Sequence, residues 1–180
     1  MKDPFVILRN RKSGTGEFRK AAIGVAGVLA KEVAKNAPKG HVVLVPILRA
    51  GLALLPAFME RFPESHVGFI GLKRDEKTLK PKTYYKKLPK ILKSDAVVLL
   101  DPMLATGGSA VAGIKEIINS GAREENVIFV GVISAPEGIA NIQNNFPLVR
   151  ILCAEYDRKL DKKGYIVPGL GDFGDRYFSE

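Results

Sequence analysis

Residues 97–109 of this chain read VVLLDPMLATGGS. The apolar beginning has the character of a buried strand, and it delivers Asp101 at the carboxyl end of that strand. The small residues that follow predict a tight turn into a helix. Residues 105–109 can therefore direct backbone N–H groups, the hydroxyls of Thr106 and Ser109 and a helix N-terminus at one point. Such a turn is an anion cradle suited to a terminal phosphate, with Asp101 placed to hold sugar hydroxyls. A glycine-rich turn that binds nothing is the alternative, and the acid and the flanking hydroxyls disfavour it.

Apolar runs of strand length recur on both sides of this segment. They are continuous rather than alternating, which is typical of strands covered on both faces of a parallel sheet. The predicted strands span residues 42–48, 67–72, 96–100, 127–133 and 149–154.

Segments with helical spacing separate these runs. The first predicted helix has Thr15 as its N-cap, the second stops at Gly121, and Pro136 opens a shorter third. Their apolar positions are Phe18, Ala22, Val25, Leu29 and Val33; Ala110, Ile114, Ile117 and Ile118; and Ile139, Ile142 and Phe146. Strands that alternate with helices predict an α/β fold with an open, mostly parallel sheet flanked by helices. In such sheets, ligands bind beyond the carboxyl ends of the strands.

Two stretches do not follow this alternation. Residues 73–92 are long, basic and polar, and their length predicts a functional flap rather than an ordinary connection. Residues 157–180 are dense in glycine and charge, and we expect them to form a small C-terminal hood over the sheet edge. Since no repeat, low-complexity tract or linker divides the chain, residues 1–180 are predicted to form a single domain.

The composition is that of an ordinary globular protein. Apolar residues make up 46% of the 180 and charged residues 26%. No apolar run has the length of a membrane helix, no secretory signal is visible, and the single Cys153 cannot form an internal disulfide. These features predict a cytoplasmic protein without membrane partners.

The net charge suits a polyanionic partner. Lys and Arg outnumber Asp and Glu by 28 to 19, which gives +9. The basic residues are dispersed and are not interleaved with aromatic residues as in a single-strand binder, so no nucleic acid is predicted as a partner. Phosphorylated small molecules remain the favoured class.

The segment around Asp101 resembles the phosphoribosyl pyrophosphate signature of the type I phosphoribosyltransferases. Its Asp-Pro-Met form is similar to that of the uracil phosphoribosyltransferase family in particular. Three further segments agree with that family in the same order, and the resemblance runs from about residue 8 to residue 178. They are VPILRAG at residues 45–51, GLKRDEKTLKP at 71–81 followed by Tyr84 and Tyr85, and YIVPGLGD at 165–172 followed by Gly174, Asp175 and Arg176.

The resemblance implies a reaction and a set of site residues. The implied activity is transfer of the 5-phosphoribosyl group from phosphoribosyl pyrophosphate to uracil, which gives UMP and pyrophosphate. The implied catalytic residues are Asp101, Arg49, Arg74 and Asp172. The residues expected to bind phosphoribosyl pyrophosphate are Arg49, Arg74, Asp101, Pro102, Met103, Leu104, Ala105, Thr106, Gly107, Gly108, Ser109 and Asp172. Those expected to frame uracil are Ile166, Gly171, Asp172 and Phe173. Mg²⁺ is the implied cofactor, with Asp172 reaching it through water.

The sequence departs from the family pattern in two places. Residues 34–42 leave only a short connection where the family carries an extended β-arm that grips a second subunit. We therefore expect a homo-oligomer with an atypical interface. Because GTP activates some members of that family, the resemblance also implies GTP as a candidate effector. The second departure is Phe173, where the family favours a small residue.

Two alternatives stay open at this stage. Phe173 and the shortened connection leave room for a phosphoribosyltransferase that acts on another base. The positive charge leaves room for a non-catalytic regulator that binds phosphoribosyl pyrophosphate or a nucleotide.

Overall fold

A computed structural model describes residues 3–38, 40–74 and 81–179, with the side chain of Arg74 outside the description. The main sheet contains β1 (Val42–Leu48), β2 (His66–Val67), β3 (Phe69–Arg74), β4 (Pro81–Lys87), β5 (Ala96–Leu100), β6 (Met103–Leu104), β7 (Val127–Ser134) and β8 (Arg150–Tyr156). The helices are α1 (Pro4–Arg9), α2 (Thr15–Asn36), α3 (Leu55–Arg61), α4 (Gly108–Asn119), α5 (Pro136–Asn145) and α6 (Phe173–Phe178). A separate two-stranded sheet pairs β9 (Lys159–Leu160) with β10 (Ile166–Val167).

The sheet is parallel except for β4. Its order across the molecule is β4, β3, β1, β5, β7 and β8, with β2 continuing the line of β3 and β6 that of β5. The chain starts at β1 in the middle, moves to one side through β3, and then crosses to β5 on the other side. The carboxyl ends of β1 and β5 therefore flank the point where strand order reverses, which is where an open α/β sheet forms its ligand crevice.

Each face of the sheet carries its own helices because neighbouring strand residues point to opposite faces. Leu44, Val98 and Leu100 pack with α2 in one cluster. Val97 and Leu99 pack with α4 and α5 in the other. This double coverage explains the continuous apolar runs, and it confirms the predicted fold class.

Several predicted boundaries hold and others need correction. The strands at 42–48 and 96–100 match the prediction, and the positive φ of 116° at Gly121 follows the end of α4. Thr15 is the first residue of α2 rather than its N-cap, because Gly14 holds that position and its N–H donates to the Glu17 carboxylate. The run at 67–72 is broken at Gly68 into β2 and β3.

The predicted flap at 73–92 contains regular structure. β4 pairs antiparallel with β3, so much of the segment is the second half of a β-hairpin at the sheet edge. Residues 75–80, which lie between β3 and β4 in the sequence, are outside the described part of the chain. The hood is built from β9, β10 and α6.

No helix within the described ranges is long and apolar enough to cross a membrane.

Candidate active site

A cleft of about 350 Å³ lies at the carboxyl ends of β1 and β5, beneath the C-terminal hood. The sheet supplies one wall and the hood the other. The lining residues are Arg49, Ala50, Asp101, Met103, Ala105, Gly164, Tyr165, Gly171, Asp172, Phe173, Gly174 and Asp175. This is the crevice that the strand order creates.

Residues 101–109, which the sequence predicts to bind phosphate and which are called the phosphate loop below, run from the end of β5 into α4. Gly107 precedes α4 with a φ of 78°, a conformation that a residue without Cβ adopts most readily. A Cβ built on Gly108 would meet nothing closer than Pro81 Cδ at 3.6 Å. That separation is an ordinary van der Waals contact. The Gly108 N–H lies 3.5 Å from the Thr106 hydroxyl oxygen, so a backbone N–H group and a hydroxyl come together at the start of α4, as an anion cradle requires.

The loop also contains a short strand that the sequence did not predict. β6 pairs with the end of β7, through Met103 opposite Ile133 and Leu104 opposite Ser134. Leu104 is only 1% exposed and packs in the core, and Pro102 is buried. These two residues support the loop from below, while Met103 and Ala105 line the cleft.

Asp101 occupies the break between β5 and β6. Its position takes the carboxyl group out of bulk water, and this burial raises the pKa of Asp101 to about 7. The N–H of Met103 donates a hydrogen bond to the carboxylate and acts in the opposite direction. A carboxyl group with a pKa near neutrality at the end of a central strand is a mark of a functional site.

Arg49 follows β1 and is exposed at the cleft. The peptide bond between Leu48 and Arg49 is cis. Two residues later, a Cβ on Gly51 would lie 2.3 Å from the Leu100 carbonyl oxygen. Glycine at this position lets the Arg49 turn approach the end of β5, so Arg49 and Asp101 line the same cleft. Arg74 is the last residue of β3, and its side chain lies outside the described part of the molecule.

The hood contributes Asp172 and Phe173. The Asp172 carboxylate caps α6 by accepting from the Asp175 N–H at 2.9 Å. Phe173 is 1% exposed, and its ring packs edge-on against Phe18 at 5.2 Å and stacks on Tyr177 at 5.8 Å. The ring therefore belongs to the core, although the residue borders the cleft.

Of the residues predicted to frame uracil, Gly171 lines the cleft and Ile166 does not. Ile166 is buried beneath the hood in β10, while Gly171 lies at the cleft with a φ of 84°. The cleft also contains residues to which the sequence analysis gave no role. These residues are Ala50, Gly164, Tyr165, Gly174 and Asp175. Most of them lie inside or next to the quoted segments, so proximity to those segments was the available signal.

Two arginine clusters fix the hood. The Arg9 guanidinium makes a two-pronged ion pair with Asp157, at 2.7 and 3.0 Å, and also donates to the Gly169 carbonyl. The Gly169 N–H donates to the same Asp157 carboxylate at 2.8 Å. Arg176 donates to the carbonyls of Leu8, Leu170 and Asn10. The N-terminal helix thus holds the loop that leads into the hood side of the cleft.

The charges of the Arg9–Asp157 clamp reinforce each other. Burial alone would raise the pKa of Asp157, but the hydrogen bonds from Arg9 and the Gly169 N–H bring it below its usual value. The same contact raises the pKa of Arg9. Both groups are therefore charged across the physiological range.

Comparison with known proteins identifies the family. The family model described as uracil phosphoribosyltransferase matches residues 14–179. The uracil phosphoribosyltransferase of Limosilactobacillus fermentum is 40% identical over 96% of this chain and 90% of its own. That of Dictyoglomus thermophilum is 43% identical over 95% of this chain and 91% of its own.

Solved structures share the fold of this chain. A protein of Aquifex aeolicus superposes with a TM-score of 0.90 at 36% identity, over 99% of this chain and 93% of that one. A purine phosphoribosyltransferase of Pyrococcus horikoshii has a TM-score of 0.57 at 18% identity, over 78% of this chain and 83% of its own, and shares the fold. Because the family model spans most of the sequence and these relatives cover nearly all of it, the chain belongs to the uracil phosphoribosyltransferase family.

Proposed function

We propose that this protein transfers the 5-phosphoribosyl group of phosphoribosyl pyrophosphate to uracil, which gives UMP and pyrophosphate. Family membership supports the overall reaction. The observation that carries the proposal is the cleft itself, in which Arg49, Asp101 and the phosphate loop face the hood residues Gly171 and Asp172. One side of such a cleft suits the phosphorylated sugar and the other suits the base.

Different residues of the cleft would stabilise different parts of the transition state. The bond between ribose C1 and the pyrophosphate oxygen breaks, N1 of uracil forms a bond to C1, and the N1 proton is released. Positive charge develops on the ribose ring while negative charge grows on the leaving pyrophosphate. Asp101 would hold the ribose hydroxyls and oppose the positive charge, and Arg49 and Arg74 would stabilise the pyrophosphate. The phosphate loop would anchor the 5-phosphate and so orient C1.

Uracil would be read by the hood largely through backbone groups, near Ile166 and residues 171–173. The packing of the Phe173 ring against Phe18 supports this, because the bulk of the side chain is directed into the core. The departure at Phe173 therefore does not argue for another base.

Mg²⁺ is the proposed cofactor, and the donors at the cleft fit it. Asp101, Asp172 and Asp175 supply carboxylate oxygens, the ligand type that this cation prefers. Among the described residues, no group of three or more His, Cys, Asp or Glu could cage a metal ion. This pattern suits an ion that is bound mainly by substrate phosphates and water. When bound, Mg²⁺ neutralises part of the pyrophosphate charge, and Asp172 would orient a metal-bound water.

The cellular location, the oligomeric state and the effector of the protein are also proposals. We place the protein in the cytoplasm and expect it to form a homo-oligomer through an interface other than the family's arm. The short connection between α2 and β1 supports the second point. GTP is the candidate effector. Light scattering and a titration of activity with GTP test the last two.

The direct test combines purified protein, Mg²⁺, phosphoribosyl pyrophosphate and one base, and measures nucleotide and pyrophosphate. We expect UMP and pyrophosphate in equal amounts with uracil, and much slower turnover with cytosine, hypoxanthine, guanine or adenine. Preferential turnover of another base would overturn the uracil assignment. Binding of phosphoribosyl pyrophosphate without turnover of any base would favour the non-catalytic regulator.

A further inference from the structure

Helix α5 lies directly against the phosphate loop. A Cβ on Gly138 would come within 2.5 Å of the Ala105 carbonyl oxygen. A Cβ on Gly107 would come within 2.8 Å of the Gly138 carbonyl oxygen and 3.1 Å of Asn141 Cβ. The loop and the start of α5 therefore approach so closely at Gly107 and Gly138 that neither position has room for a side chain.

A chain of two asparagines on α5 ends at the loop. The Asn141 side-chain amide donates to the Thr106 carbonyl at 2.8 Å. The Asn145 side-chain amide donates to the Asn141 side-chain oxygen at 3.0 Å and to the Asn141 carbonyl at 2.8 Å. Since the Thr106 carbonyl only accepts, Asn141 must present its NH₂ group there and its oxygen to Asn145. The two contacts thus define one orientation of the Asn141 amide.

The contact from Asn141 to the Thr106 carbonyl also fixes the direction of the Gly107 N–H. The peptide between Thr106 and Gly107 is planar, so its C=O and N–H groups point to opposite sides of the loop. Holding the Thr106 oxygen on the α5 side directs the Gly107 N–H away from α5. The Gly107 N–H is thereby left on the other side of the loop, and Gly107 immediately precedes the first residue of α4.

We infer that Asn141 is a positioning residue for the phosphate loop, oriented by Asn145. It sets the Thr106–Gly107 peptide so that its N–H meets the 5-phosphate of phosphoribosyl pyrophosphate. The inference rests on the proposed function of the loop as the 5-phosphate site. Asn141 acts through Thr106 and itself touches no substrate.

The test compares Asn141→Ala with Asn144→Ala, an exposed asparagine on the same helix. One hydrogen bond that preorganises a ligand-binding peptide contributes on the order of a three- to ten-fold change in affinity. We expect KM for phosphoribosyl pyrophosphate to rise by about that factor in Asn141→Ala. The kcat value and KM for uracil should stay within about two-fold. Asn144→Ala should match the wild type in all three.

Asn145→Ala should show a smaller effect in the same direction, and the double variant Asn141→Ala/Asn145→Ala should be no worse than Asn141→Ala alone. Additive losses would contradict the chain of contacts. Equal KM values in Asn141→Ala and Asn144→Ala would overturn the inference. So would a joint rise of both KM values with a lower Tm, because that pattern indicates general damage.

Calorimetry separates this inference from the choice of base. Affinity for ribose 5-phosphate should fall in Asn141→Ala by the same factor as KM rises, while affinity for pyrophosphate with Mg²⁺ should not change. This measurement needs no base, so it remains decisive if uracil proves not to be the acceptor. An unchanged affinity for ribose 5-phosphate would sink the inference even where the proposed reaction is observed.

Discussion

Asp101 combines a functional position with a cost to stability. Its folded-state pKa of about 7 lies well above the ordinary value of 3.8 because the carboxyl group is buried. The ionised form therefore disfavours the folded state once the pH exceeds the unfolded pKa. The contribution of Asp101 to the free energy of unfolding should fall as pH rises from about 4 to about 7 and then level off.

Asp101→Asn should separate these two effects. We expect kcat to drop by roughly 10²-fold or more, because the charge that opposes the developing cation is lost. The variant should also gain stability over the wild type as pH increases, by up to a few kcal/mol at pH 8. Steady-state kinetics and urea unfolding at pH 5 and pH 8 measure the two quantities. A stability difference between Asp101→Asn and the wild type that does not depend on pH would show that burial does not raise the pKa of Asp101.

Phe173 shows where single-residue prediction stops. The sequence marks it as a departure from the family, but only packing reveals that its ring lies between Phe18 and Tyr177. Tyr165 and Asp175 line the cleft because the hood folds back over the sheet. Short-range sequence patterns do not specify that path of the chain. The phosphate loop was predictable because its chemistry is contained in consecutive residues.

Phe173→Ala should act on stability rather than on base choice. Removing a fully buried aromatic ring costs about 3–5 kcal/mol, so Tm should fall markedly. The ranking of bases as acceptors should be unchanged, as measured in the five-base assay at a temperature where the variant is folded. A switch from uracil to a larger base would show that the ring shapes the pocket.

At the level of elements, strands buried on both faces were predictable and polar or very short ones were not. The runs that became β1 and β5 are apolar throughout, so composition alone identifies them. β4 is polar and mostly exposed, and it is a strand because β3 offers it an edge. β6 and α3 are short, and tertiary packing rather than propensity decides them.

The close contact between α5 and the phosphate loop leaves no room for a side chain at Gly138. Gly138→Ala should force the helix and the Ala105 carbonyl apart, at a cost of about 1–3 kcal/mol, and should raise KM for phosphoribosyl pyrophosphate. Gly24→Ala on α2 is the matched control, since its Cβ would meet nothing within 4 Å. The control should gain about 0.5–1 kcal/mol from helix propensity. Thermal unfolding and kinetics of both variants distinguish steric conflict from propensity, and a stabilised Gly138→Ala would contradict the close approach.

At the scale of the whole molecule, the hood side of the cleft depends on the N-terminal helix. Asp157 has only 3% of its side chain exposed, and Arg9 supplies its compensating charge. No sequence pattern linked α1 to the hood, because the partners are far apart in the chain and Arg9 resembles any surface arginine. Such long-range pairs follow from the fold and cannot be found from local periodicity.

Arg9→Met should leave Asp157 buried without its countercharge. We expect a loss of about 3 kcal/mol in stability and a larger rise in KM for uracil than for phosphoribosyl pyrophosphate. Lys35→Met removes an exposed ion pair with Glu32 and should cost at most about 0.5 kcal/mol. Because Asp157 has a lowered pKa, the difference between wild type and Arg9→Met should shrink below about pH 4. A constant difference across pH, measured by urea unfolding, would contradict this account.

The distance in sequence between Arg9 and Asp157 determines when the hood can dock during protein synthesis. Arg9 leaves the ribosome 148 residues before Asp157, and Gly169 follows later still. The sheet and the phosphate loop can form on the nascent chain while the hood is still untranslated. A chain arrested before the hood would therefore carry the proposed site for phosphoribosyl pyrophosphate but lack the proposed site for the base. We therefore expect activity only after the hood has been synthesised and Asp157 has paired with Arg9.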